Sequence, residues 1–219
     1  AAARELSLLR FANFENELYQ NIFLFVISGE NMCEKIGGIL AMRELIDCTS
    51  AAGEQKVVTF AATLSNALKA NTEFEIIELV AAALGQMAKS SSVSQVDYVE
   101  NELNQALNLL REPNNHSYRR FSACVVLQQL AENAPTIFFV RTKEFFDLIW
   151  RPLWDVKEKI RVSAGAALSA CLAVLRQRTY HLQWYCNIYD QIHQGFDKGN
   201  AETVHGSLIV VSEMLKHTG

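Results

Sequence analysis

Ser122-Ala123-Cys124-Val125-Val126-Leu127-Gln128-Gln129-Leu130 is a block of small and apolar residues closed by a leucine. The same design recurs along the chain. Gly37-Gly38-Ile39-Leu40-Ala41-Met42 leads to Leu45, and Leu79-Val80-Ala81-Ala82-Ala83-Leu84 leads to Met87. Ala164-Gly165-Ala166-Ala167-Leu168-Ser169 leads to Leu172, and Gly206-Ser207-Leu208-Ile209-Val210-Val211 leads to Met214. The five anchors are separated by 42, 43, 42 and 42 residues. A fixed spacing of this size marks stacked supersecondary units rather than one central core.

A second apolar stripe lies between successive blocks. Val99, Leu103, Leu107 and Leu110 recur at one-face helical spacing, as do Phe60, Leu64 and Leu68, and Trp184, Ile188 and Ile192. Each period therefore predicts a helix, a turn and a second helix. A period near 42 falls within the range of HEAT and armadillo repeats, about 40–47 residues. The expected fold is all-α: a right-handed α-solenoid of about five HEAT-type helical hairpins. The repeats fall at about 11–48, 54–89, 96–133, 136–176 and 181–217, within a single segment 1–219.

Punctuation agrees with this division. Asn71-Thr72 followed by Glu75 predicts a polar cap at a helix start. Pro113-Asn114-Asn115 predicts a turn, and Pro135 stands at the start of a helix expected over 136–150. Only three prolines occur, which suits long helices, because an interior proline costs about 3 kcal/mol. Glycine inside a helix costs about 1 kcal/mol relative to alanine. Gly37, Gly38, Gly165 and Gly206 are therefore expected where a neighbouring helix packs close.

Composition excludes several functions. Net charge is −4, so no overall basic balance attracts a nucleic-acid backbone. The longest apolar run, Ile22 to Ile27, has six residues, far from the roughly 20 of a membrane span. No basic region followed by an apolar stretch suggests a signal peptide. The five cysteines, at 33, 48, 124, 171 and 186, are odd in number and lie in apolar helical patterns. They read as small core residues of a reducing compartment. The first residues are already helical in pattern, and neither end carries a clearly polar capping helix. The expectation is therefore a segment of a longer chain.

Chemical motifs are scarce. No CxxC, HxxxH or HExxH spacing suggests a metal, and no Gly-rich loop suggests a phosphate or cofactor. No GxSxG elbow or kinase signature occurs, and the carboxylates are scattered singly. The segment is expected to be no enzyme, with no cofactor and no metal. Arg141, Lys143, Arg151, Lys157, Lys159 and Arg161 concentrate positive charge, read as a solvated face. Arg119-Arg120 opens a helix, where the dipole disfavours cations, and so predicts an acidic neighbour on an adjacent repeat.

Taken in order, several stretches are similar to one family. They include Lys35-Ile36-Gly37-Gly38-Ile39-Leu40-Ala41, Arg119-Arg120, Leu127-Gln128-Gln129-Leu130-Ala131 and Pro135-Thr136-Ile137-Phe138-Phe139. Phe145-Phe146-Asp147, Trp154-Asp155, Ala167-Leu168-Ser169-Ala170-Cys171-Leu172, Gly195-Phe196-Asp197 and His205-Gly206-Ser207-Leu208 continue the series. Together they resemble the N-terminal HEAT solenoid of the target-of-rapamycin (TOR) serine/threonine kinases. The 49–58 and 89–96 linkers depart from the family pattern, and the stretch from Gly199 to His205 is short for it.

The resemblance implies a non-catalytic scaffold in a dimeric kinase complex of nutrient and growth signalling. The catalytic domain would lie outside this sequence. Implied partners are Raptor-like accessory subunits, a Rheb-like small GTPase where one is employed, and other parts of the same kinase chain. The implied location is cytoplasmic, with recruitment of the parent complex to the lysosomal or vacuolar membrane surface. Candidate partner-contacting residues are those of the inter-helix turns: Glu30, Asn31, Asn71, Thr72, Asn114 and Asn115. The alternative is a HEAT-repeat binding module of another class, a nuclear-transport receptor or a phosphatase scaffold.

Overall fold

A computed structural model describes residues 12–47, 53–89, 93–178 and 182–218, and every described element is helical. Contacts divide the chain at Val99 and Glu100 into two compact units.

The first unit holds α1 (Ala12–Ser28), α2 (Met32–Ile46), α3 (Gly53–Ala70) and α4 (Phe74–Ala88). It also holds the beginning of α5 (Val93–Arg111). α1 pairs with α2 and α3 with α4; α1 also packs on α3, and α2 on α4. Two hairpins are thus stacked like on like. The i, i+4 stripes meet inside, with Ile22 and Val26 of α1, Ile39, Met42 and Leu45 of α2, and Leu64 and Leu84 of the next hairpin all buried. Phe60 anchors the stack. Its ring meets the edges of Tyr19 and Phe23 at centroid distances of 5.3 and 5.5 Å, a favoured T-shaped geometry.

The second unit holds the rest of α5, then α6 (Ser117–Asn133), α7 (Pro135–Val140), α8 (Thr142–Leu148) and α9 (Trp150–Leu153). α10 (Glu158–Arg176), α11 (Leu182–Lys198) and α12 (Ala201–Thr218) follow. α10 lies between α6 and α12, and α11 covers α12. The seven consecutive residues Phe121–Leu127 of α6 are all buried. A helix buried all round needs apolar residues on every face, and the quoted block supplies them. α10 repeats this with Ala164, Ala167, Leu168, Cys171, Leu172 and Leu175.

The helix expected over 136–150 is instead three short ones. Arg141 leaves helical geometry at φ −105°, ψ 10°. Its Nη1 donates to Asn104 Oδ1, and it pairs with Glu144. Pro152 lacks the N–H that would continue the ladder across α9. The breaks let Phe138, Phe145 and Phe146 turn inward together, with successive centroids 5.4 and 5.7 Å apart.

The small residues divide into two kinds. A Cβ on Gly206 would overlap the Leu153 carbonyl oxygen, and one on Gly165 would overlap the Ile209 side chain. A Cβ on Gly38 would meet Val26 and Phe25 at 2.9–3.0 Å. Gly37, expected to be equally confined, faces open space. It sits on the outer side of α2, one residue from the packed face. Gly199, at φ +71°, ends α11 in a left-handed conformation that favours glycine.

These surroundings give opposite expectations for one substitution. Gly206→Ala gains about 1 kcal/mol of helix propensity but drives a methyl group into backbone, and overpacking of this kind costs up to about 3 kcal/mol or more. A net loss near 2 kcal/mol lowers the melting temperature of a chain this size by roughly 4–8 °C. Gly37→Ala raises it by roughly 2–4 °C, since only the propensity gain remains. Thermal unfolding followed by circular dichroism distinguishes the two.

Candidate functional site: the inter-helix turns

Each hairpin turn carries an Asn or Asp: Asn31, Asn71, Asn115, Asp155 and Asn200. Their short side chains bond nearby backbone and so hold chains that leave one helix and enter the next. Asn31 caps α2, its Oδ1 accepting from the Glu34 N–H at 2.9 Å. The Glu34 carboxylate reaches back to accept the Glu30 N–H at 2.8 Å. Asn200 caps α12 by accepting the Thr203 N–H at 2.8 Å. Asp155 accepts the Lys157 N–H at 3.0 Å before α10.

Asn71 and Asn115 act on the preceding helix instead. Asn71 Nδ2 donates to the Ala67 carbonyl at 2.7 Å, and Asn115 Nδ2 to the Leu109 carbonyl at 2.6 Å. The Leu109 carbonyl has no helical donor, since position 113 is proline, whereas the Ala67 carbonyl already accepts the Asn71 N–H at 3.1 Å and gains a second bond. The cap expected from Asn71-Thr72 is therefore placed differently. Glu73 precedes α4 and makes no side-chain cap, while Asn71 closes α3.

The six sequence-selected residues thus fall into two groups. Glu30, Thr72 and Asn114 are exposed. Asn71 and Asn115 are buried, and Asn31 is exposed but committed to its cap. Glu30, Asn31, Asn71 and Thr72 belong to the first unit, and Asn114 and Asn115 to the second.

A set of polar links joins successive hairpins, of which the sequence reading anticipated only the one at Arg119-Arg120. In the first unit Lys35 Nζ donates to Asn71 Oδ1 at 3.0 Å. In the second, Arg120 Nε donates to Asp155 Oδ2 at 2.6 Å, and Arg120 also donates to the Asn115 carbonyl. Further on, Arg161 donates to the carbonyls of Asp155 (2.7 Å) and Val156 (3.0 Å) and to His205 Nδ1 at 2.9 Å. A basic group early in one hairpin's second helix thus engages the next hairpin. The signal was present: Asn31/Lys35, Asn115/Arg120, Asp155/Arg161 and Asn200/His205 each pair an Asx turn with a basic residue four to six positions later. The acidic neighbour anticipated for Arg119-Arg120 is Asp155, reached by Arg120 while Arg119 stays exposed.

The basic concentration between 141 and 161 is mostly a solvated face, as expected: Lys143, Arg151, Lys157 and Lys159 are exposed, and only Arg161 is buried. Arg141 pairs with Glu144, Lys157 donates to Ser117 Oγ at 2.8 Å, and Lys159 lies over the Phe121 ring. Two cysteines behave as expected. Cys124 and Cys171 are buried, and burial pushes both thiols far above their ordinary range. Cys33 and Cys186 are exposed, not core residues, because each occupies the outer face of its helix. Cys48 lies outside the described residues. Among the described residues no group of His, Cys, Asp or Glu could hold a metal ion, and no helix is long and apolar enough to cross a membrane.

Helical hairpins stacked within each unit and joined by turn-borne polar links define an all-α helical-repeat segment. No protein-family model matches the chain. It is 34% identical over 220 residues to the serine/threonine-protein kinase TOR of Oryza sativa and 33% identical over 221 residues to that of Arabidopsis thaliana. It is 31% identical over 230 residues to the serine/threonine-protein kinase mTor of Drosophila melanogaster. These alignments cover 99%, 100% and 97% of the chain but only 9% of each relative. The chain belongs to the TOR serine/threonine kinase family, as a segment spanning about a tenth of its relatives' length.

Two measurements check this site. Asp155→Ala leaves the part-buried Arg120 guanidinium without its carboxylate and frees the Lys157 N–H. Breaking one side of such a pair costs about 3 kcal/mol, and a double-mutant cycle with Arg120→Ala returns a coupling of at least about 1 kcal/mol. A thiol-reactive probe labels Cys33 and Cys186 in the native protein within minutes, and Cys124 and Cys171 only once denaturant opens the core.

Proposed function

We propose that this segment is a non-catalytic HEAT-type scaffold of a TOR kinase. It organises the dimeric kinase complex and binds Raptor-like accessory subunits and, where one is used, a Rheb-like small GTPase. The observation carrying this reading is the match to TOR kinases along the whole chain, by a segment made of helical hairpins. A nuclear-transport receptor or phosphatase scaffold would share the hairpins but not that end-to-end match.

The mechanism is associative. Within each unit, hairpins packed on one another hold their turns in place. A partner binding several turns favours one arrangement of the parent chain by its differential affinity for that arrangement. Glu30, Thr72 and Asn114 are the exposed members of the candidate set and the ones assigned to partner contact. Asn31, Asn71 and Asn115 keep the turns in shape. The parent complex acts in the cytoplasm and at the lysosomal or vacuolar surface.

The purified segment shows no transfer of phosphate from ATP to protein; contaminant-free phosphorylation by it contradicts the proposal. In the full-length kinase, the triple change Glu30→Ala, Thr72→Ala, Asn114→Ala weakens binding of a Raptor-like subunit about tenfold, or about 1.4 kcal/mol. The melting temperature stays constant. Unchanged affinity for both a Raptor-like subunit and a Rheb-like GTPase removes the turns from the partner surface.

A further inference from the structure

We infer that the cleft between the C-terminal end of α5 and the α8–α9 corner is a docking site for an acidic, apolar peptide segment of a partner protein. The inference concerns a surface separate from the turn residues assigned above and does not rest on them.

The cleft has a volume of about 500 Å³ and is lined by Leu110, Leu148, Trp150 and Trp154, with Arg111, Arg151 and Asp147. It is an open surface groove rather than an enclosed cavity. Phe121, Phe138, Phe145 and Phe146 are buried in the core, whereas Trp150 and Trp154 are only half-buried. Their indole centroids lie 6.2 Å apart, with the planes tilted by 41°. Tryptophan and arginine in a concave, apolar setting are the residue types that dominate binding energy in protein interfaces.

Charge selects the occupant. Arg111, Arg151 and Lys198 surround the two indoles, the last with its Nζ 3.7 Å from the Trp154 ring centroid. Arg111 is engaged by Glu144 and Asn108, and Lys198 by the ring beneath it. Arg151 differs. Its hydrogen bond is a 3.5 Å contact to the Arg111 carbonyl, outside the usual N–H···O range of about 2.7–3.2 Å. A guanidinium holds five donors suited to a planar carboxylate. A carboxylate of the occupant therefore meets Arg151 while a neighbouring leucine or phenylalanine packs against the indole pair. Asp147 also lines the cleft, and its carboxylate offsets part of the basic rim. A basic segment would meet like charge at the rim.

Two of the chain's three tryptophans line the cleft, so intrinsic fluorescence reports its occupancy. Trp184→Phe removes the third, which stacks on Phe146. The probes are an N-acetylated pentapeptide alternating glutamate with leucine and phenylalanine, and its counterpart with every glutamate replaced by lysine. On the 219-residue chain the acidic peptide gives a saturable spectral change and binds at least tenfold more tightly than the basic one. Arg151→Ala weakens it about tenfold, and Asp147→Asn tightens it several-fold, both with unchanged thermal unfolding. Equal binding of the two peptides, no saturation at millimolar concentration, or indifference to Arg151→Ala overturns the inference. Tighter binding of a single-stranded oligonucleotide than of the acidic peptide overturns it as well.

Discussion

Close approach between the second helices of successive hairpins is the constraint from which the other features follow. α6 carries Ser122, Ala123 and Cys124 and α10 carries Ala164, Gly165 and Ala167 at buried positions, and a Cβ on Gly165 would overlap Ile209 of α12. Dispersion contacts are individually small and fall off steeply with distance. The gain therefore depends on a separation that small residues permit. Once the inner helices are that close, the first helices and the α7–α9 corner cover what remains, and their charged outer faces follow from solvent exposure. The corner comes close as well: Gly206 of α12 lies against the Leu153 carbonyl of α9, backbone meeting backbone.

Much of this architecture is legible in the sequence, because the repeated block and the one-face stripes report burial directly. The helix starts at Ser117 and Pro135 lie where turn chemistry puts them. Other features depend on residues about 40 positions away and escape local reading. The break at Arg141 follows from Asn104 and Glu144, not from any helix breaker at 141. Asn71 looks like an N-cap by its neighbours, but Lys35 occupies its carbonyl oxygen and its amide turns back to Ala67. Cys33 and Cys186 sit in apolar patterns and still face outward, since periodicity fixes a stripe only to within a residue or so.

The turn residues were selected from the sequence as punctuation, and the structure shows why punctuation alone mixes two roles. An Asx side chain that bonds backbone cannot also serve a partner without releasing that bond. Exposed Glu30, Thr72 and Asn114 carry no such commitment at the same turns. The aromatic sequence from Phe138 to Trp154 mixes roles in a similar way. Its phenylalanines fill the core, and its tryptophans remain at the edge.

The bond between Arg120 and Asp155 has a consequence for sliding. Apolar faces are non-directional, and two helices packed through them can shift by a turn, about 5.4 Å, and find a comparable fit. A 2.6 Å contact between a guanidinium and a carboxylate does not survive such a shift. Placed beside the start of α10, where Asp155 also holds the Lys157 N–H, it pins the longitudinal register of α6 against α10. The apolar block makes the two helices adhere, and one ion pair at their turn end determines which residues lie opposite one another along their length.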